Sequence, residues 1–86
     1  MSDITPGQCR AARALLGLSQ SDVAKSAKVA EKTLADFERG ARQPYPRTLA
    51  DVRAALEAAG IEFIAANGSG PGLRLRKSAT VPGVAG

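Results

Sequence analysis

The chain contains no histidine and no tryptophan, a single cysteine (Cys9), and aromatic side chains at only 3% of its 86 positions. Each shortage excludes something. One cysteine cannot form an intramolecular disulfide, and without histidine the Cys/His sets that hold zinc cannot be assembled. The same lack removes the side chain that titrates nearest neutrality, and no converging carboxylates replace it. Catalysis is therefore the least expected function, and no metal or cofactor is expected. No apolar run is long enough to span a bilayer, and the N-terminus carries no secretory pattern, so a soluble, cytoplasmic chain is expected. A core this poor in aromatics has to be built from Leu, Ile, Val and many Ala, whose small side chains let helices pack closely. A chain of this length suits one domain near the lower size limit for a single core, and self-association would add buried area.

What the chain does have is a modest excess of positive charge, +4, from 12 Lys and Arg against 8 Asp and Glu. That is consistent with a polyanionic partner but is weak evidence alone. The stronger signal is the order of helix caps and stops. Thr5 is suited to cap a first helix, with Pro6 at its first position and Gln8 placed to reach back. Cys9, Ala12 and Leu16 share one face with Leu15 beside them, and Gly17 ends the helix. Ser19 with Asp22 forms a second capping box, and Val23, Ala24 and Ala27 supply that helix's buried side. A third helix is expected from Glu31 to Arg39, with Leu34 and Phe37 inward and Gly40 as a left-handed stop. After a loop over Ala41 to Pro46, a fourth helix runs from about Arg47 to Ala59, with Leu49, Val52, Leu56 and Ala59 on one stripe and Gly60 as its end.

At Gly60 the period changes. Ile61-Glu62-Phe63 and Leu73-Arg74-Leu75-Arg76 alternate on either side of Asn67-Gly68-Ser69-Gly70-Pro71-Gly72, which predicts a β-hairpin. The glycine-rich stretch is not a phosphate loop, because it lacks the Gly-Lys-Ser/Thr ending and a following helix. Residues 78–86 are small and non-periodic, and disorder is expected there. The expected fold is mainly α, a four-helix bundle over residues 1–60 with a C-terminal β-hairpin over residues 61–77. Cys9 reads as a small core residue.

The second and third helices are short and joined by a tight turn, the arrangement of a helix-turn-helix whose second member is free to enter a DNA groove. Arg13, Leu16-Gly17-Leu18-Ser19-Gln20, Val23-Ala24, Val29, Thr33-Leu34, Phe37-Glu38-Arg39-Gly40, Arg42 and Pro44 are correctly spaced for one family. Over Arg10 to Gly60 the chain resembles the lambda-repressor-like helix-turn-helix regulators of phage and bacteria, the XRE family. A weaker similarity, from Glu62 to Arg76, is to the C-terminal extension of short bacterial members. The resemblance implies sequence-specific binding of double-stranded DNA, with the third helix in the major groove and the protein near the nucleoid. It also implies a homodimer on a palindromic operator, acting as a repressor by occupying a promoter. By the same resemblance Gln20 contacts the DNA backbone, Glu31, Lys32 and Asp36 meet base edges, and Arg13 pairs with Glu38 between helices.

Physical chemistry supports these roles in different degrees. Gln20 stands at a helix N-terminus, where free N–H groups and the positive end of the helix dipole suit a phosphate. Lysine donates to guanine O6 and N7, and a carboxylate accepts from cytosine N4, which leans the half-site toward G·C pairs. Thr33 and Arg39 are expected on phosphate or sugar, and Arg42 and Arg47 add phosphate contacts after the third helix. The competing reading is a solvated charged face, since two acids beside DNA are electrostatically awkward. Two positions depart from the family pattern. Lys28 stands where glycine is usual, at a cost of about 1 kcal/mol if it must be left-handed. Ala30 replaces a capping Ser or Thr.

An isolated hairpin is marginal in water, so its apolar residues Ile61, Phe63, Leu73 and Leu75 need cover. They are expected to form the dimer interface, with packing inside a monomer as the alternative. Arg74, Arg76 and Lys77 read as a solubilising face. Two other functions use the same module: an activator that touches RNA polymerase, and an antitoxin-type regulator that binds a partner protein.

Overall fold

The computed structural model describes residues 4–67 and 70–75. Four helices precede an antiparallel hairpin: α1 Pro6–Leu16, α2 Gln20–Ala27, α3 Glu31–Glu38, α4 Pro46–Ala58, β1 Ile61–Asn67 and β2 Gly70–Leu75. The expected ends of the first two helices are where the caps placed them. Thr5 accepts from the Gln8 backbone N–H at 3.0 Å while the Gln8 side chain accepts from the Thr5 N–H at 2.9 Å. Ser19 and Asp22 repeat this reciprocal box at 3.0 Å in both directions. Each box satisfies two donors that a helix start otherwise leaves open. Gly17 stops α1 in a left-handed conformation, φ 72°.

Small boundary differences appear in α3 and α4. Arg39 caps α3 rather than extending it, and Gly40 follows at φ 75°. Its N–H bonds back to Phe37 and that of Ala41 to Asp36, which closes two of the carbonyls the helix end leaves open. Helix α4 begins one residue early because Pro46 needs no N–H partner at a first helical position, and it ends at Ala58.

The core is built from Ile4, Cys9, Ala12, Val23, Ala24, Ala27, Leu34, Phe37, Leu49, Val52, Leu56 and Ile61, all buried. Ile4 and Cys9 flank the Thr5 cap at the positions of a hydrophobic staple, which fixes the entry of the chain into α1. Two expectations fail at stripe edges. Leu15 is 49% exposed, and Ala59, which caps α4 rather than belonging to it, is exposed, because each lies at the margin of its helix's core-facing stripe, where no neighbouring element covers it.

The hairpin lies against the bundle, β1 along α4 and β2 along α1. Ile61 pairs with Leu75, Glu62 with Arg74, Phe63 with Leu73 and Ile64 with Gly72, before an irregularity and the pairing of Asn67 with Gly70. Strands therefore extend further toward the turn than the alternation alone indicated. Gln8, already used in the α1 cap, donates from Nε2 to the Gly72 carbonyl at 2.9 Å and ties β2 to α1. On the α4 side, the Arg53 guanidinium stands 5.3 Å from the centre of the Phe63 ring. Residues 68 and 69, Arg76, Lys77 and the tail expected to be disordered lie outside the described residues.

The turn between α2 and α3 consists of Lys28, Val29 and Ala30. Lys28 is left-handed, φ 60°, and is the only non-glycine residue with positive φ among those described. Val29 tucks back toward the core and its N–H bonds to the Ala24 carbonyl at 3.0 Å. Relief of the Cβ clash at residue 28 outweighs the chain entropy that glycine adds to the unfolded state. Lys28→Gly should raise stability by about 0.5–1 kcal/mol and Tm by about 2–8 °C, read by thermal melting. An unchanged or lower Tm would show that the turn carries no strain.

Candidate nucleic-acid interface

Helix α3 has two faces with opposite tasks. Leu34 and Phe37 are sealed in the core, while Glu31 and Lys32 are exposed and Thr33 and Ala35 are half-buried at the rim. Ala30 gives α3 no side-chain cap, so the N–H groups of its first turn remain open. Helix α2 presents its own start beside it, with Gln20 at the first position after the Ser19 cap.

What holds α3 in place is a buried carboxylate. Glu38 is 2% exposed. Arg13 of α1 grips it with two parallel bonds, Nη2 to Oε1 and Nε to Oε2, both 2.7 Å. Gln20 Nε2 donates to Oε1 at 3.1 Å, and the Cys9 thiol donates to Oε2 at 3.2 Å. Arg10 Nη1 donates to the Glu38 backbone carbonyl, and Arg13 Nη1 to the Leu18 carbonyl at 3.2 Å. One residue near the end of α3 is thus tied to α1, to the α1–α2 turn and to the start of α2.

The electrostatics follow from this geometry. Burial pushes the Glu38 carboxyl upward, but the hydrogen bonds from Arg13, Gln20 and Cys9 and the Arg13 charge outweigh it and hold the group below the ordinary glutamate value. Burial, then the contact with Glu38, pushes the Cys9 thiol up to about 12. Cys9 is therefore a protonated donor at neutral pH, with none of the thiolate character of a reactive cysteine. Because Glu38 is ionised, the Gln20 atom facing it must be the amide nitrogen, which leaves the other amide hydrogen free to donate outward.

One turn beyond Lys32, the buried Asp36 accepts from Lys32 Nζ at 3.1 Å and from Arg39 Nη2 at 2.7 Å. The hydrogen bond from Lys32, then that from Arg39, holds its carboxyl below the usual aspartate range. Gln20 and Arg39 also line one shallow depression with Arg10, Arg13, Ala35 and Glu38. Of the residues expected to meet DNA, the structure joins Lys32, Asp36 and Arg39 by ion pairs and sets Gln20 beside Arg39 on the rim of the depression. Glu31 and Thr33 lie on the first turn of the same helix. Arg42 is exposed on the following loop and Arg47 on the first turn of α4. Arg10 was not among the expected residues, yet it borders the same depression. The sequence signal for it is its spacing of one helical turn from Arg13, which puts both on one face of α1.

The hairpin residues expected at a dimer interface are placed unequally. Ile61 is fully buried inside its own chain, and Phe63 and Leu73 are packed partly against the core. Ile61 therefore has no surface left to offer a partner, because α4 and the bundle core already cover it. Leu75 is 47% exposed, and Ile64, on the opposite face of the hairpin, is 37% exposed. Among the described residues no helix is long and apolar enough to cross a membrane, and no group of three His, Cys, Asp or Glu is placed to hold a metal ion.

A family model described as Helix-turn-helix matches residues 10–61. No curated protein matches the chain.

The Glu38 network has a measurable acid dependence. Its folded value lies below the unfolded one, so its stabilisation is complete above about pH 4.5 and disappears as pH falls through the depressed folded value. Asp22, held down mainly by the Ser19 backbone N–H, and Asp36 act in the same direction. Glu38→Gln should cost about 2–4 kcal/mol at pH 7, toward the low side for a broken buried pair because Arg13 keeps 21% exposure. Urea melts between pH 7 and pH 3 should show a shallower loss in this variant than in the parent. Parallel acid limbs would mean that Glu38 is not ionised in the fold.

Proposed function

The chain belongs to the helix-turn-helix family, XRE type, and is a DNA-binding transcriptional regulator; from that premise we propose that it is a homodimeric repressor occupying a palindromic operator. The observation that carries the reading is the pairing of an exposed polar face on α3 with a buried network that fixes the helix by its far end. An eight-residue helix reaches only a few base pairs, too few for selectivity in a genome. Two copies related by a two-fold axis double the site and place their recognition helices about one DNA turn apart.

In this reading Lys32 and Glu31 reach base edges, Lys32 toward guanine O6 or N7 and Glu31 toward cytosine N4. Gln20 gives its free amide hydrogen and the adjacent helix N-terminus to a phosphate. Thr33, Arg39, Arg42 and Arg47 follow the backbone on either side. Occupying a promoter suffices for repression. The hairpin supports the dimer through Leu75, the most open apolar residue of the face it shares with the partly covered Phe63 and Leu73, rather than through Ile61.

The test is selection of bound fragments from a random duplex pool at near-physiological salt. A two-fold symmetric motif is expected, and binding without a motif that vanishes as salt rises would refute the operator. Lys32→Ala should relax one base pair of each half-site by about 5- to 100-fold, whereas Gln20→Ala should weaken all duplexes alike. Leu75→Glu should yield a folded monomer by light scattering that binds the full site far more weakly. A dimer persisting in that variant would place the interface elsewhere.

A further inference from the structure

Residue type and position make Asp36 look like a reader of bases, one turn beyond Lys32 on the exposed side of α3. Its surroundings contradict this. The Asp36 side chain is only 12% exposed, whereas Lys32 above it is 82% exposed and Arg39 is 66% exposed. Its two oxygens are divided between them, Oδ2 to Lys32 and Oδ1 to Arg39. A base edge approaching α3 meets the two cations before it meets the carboxylate. The ammonium of Lys32 spends one of three donors on Asp36 and keeps two. Arg39 likewise gives one nitrogen and keeps the rest of its fork. The trio carries a net charge of +1, so the acid's repulsion from DNA phosphates is neutralised locally.

We infer that Asp36 is a positioning residue for recognition: it reads no base, and instead orders Lys32 over the base edges and Arg39 toward the backbone before DNA arrives. The inference rests on the reading that α3 enters the major groove. Lysine and arginine side chains are long and lose much rotamer freedom when they bind. A fixed anion at i+4 from one and i−3 from the other removes part of that freedom in the free protein. Ordering in advance favours the sequence that matches the aimed donors over sequences that would need another rotamer. Asp36 thereby contributes to specificity without touching DNA.

The experiment compares the parent with Asp36→Asn and Asp36→Ser in the random-duplex selection and against single-base variants of the selected site. Ser at residue 36 cannot reach both cations, so the comparison stays decisive if the Asn amide holds Lys32 alone. Both variants should relax the same base pair that Lys32→Ala relaxes, by about 3- to 10-fold, while non-matching duplexes bind equally or more tightly. The double variant K32A/D36N should discriminate no worse than K32A. Relaxation at a different base pair would make Asp36 a direct reader and overturn the inference. Uniformly tighter binding with an unchanged motif would reduce it to a charge and also overturn it. A parent chain that recovers no motif would refute groove entry itself, a failure visible before any variant is made.

Discussion

The ionised carboxylate of Glu38, buried at the centre of the helical unit, is the constraint on which the arrangement depends. A buried charge is tolerated only when its lone pairs are filled, and here Arg13, Gln20 and Cys9 fill them from two different helices. The partners cannot separate without leaving an uncompensated ion in a low-dielectric interior. The result is orientational: α3 is held by its last turn, so the first turn is presented at a fixed angle. Hydrophobic burial of Leu34 and Phe37 keeps α3 on the bundle, but apolar packing is non-directional and would permit it to slide. The bidentate Arg13 fork is directional and removes that freedom.

Local chemistry was easiest to read from the sequence. The Thr5/Gln8 and Ser19/Asp22 boxes and the glycine stops at residues 17 and 40 have signatures confined to a few neighbouring residues, and all are present. The left-handed Lys28 and the uncapped Ala30 were also visible, as departures from a family pattern. Long-range partnerships were not. Gln8 was legible as half of a cap, yet its bond to Gly72 joins residues far apart in the chain, and spacing carries no trace of it. Burial at helix edges was misjudged for Leu15 and Ala59, since exposure there depends on which neighbour arrives. The candidate site divides the same way: the charges on α3 were plain, but their hierarchy, with Asp36 beneath Lys32 and Arg39, emerges only from three dimensions.

The two departures at the α2–α3 turn bear on how α3 is presented. An uncapped start leaves N–H groups that bond to water in the free protein and are available to a phosphate oxygen in a complex. A left-handed lysine puts a long cationic side chain, exposed, just ahead of that start. Both cost some stability in the isolated chain, and both add positive potential where a polyanion would approach. The compensation is visible elsewhere, in the doubly capped α1 and α2 and in the fully partnered Glu38.

Ile61, sealed under the bundle at the first position of β1, changes how the hairpin relates to the helices. Together with the Gln8 to Gly72 bond, it fastens both strands to a core that the helices share. The hairpin's hydrogen-exchange protection should then track that of the helices, as one cooperative unit. Loosening it removes apolar cover from the core on which Leu34 and Phe37 of α3 pack. Peeling the hairpin away would uncover a core that all four helices share, so the two parts of the chain stand or fall together.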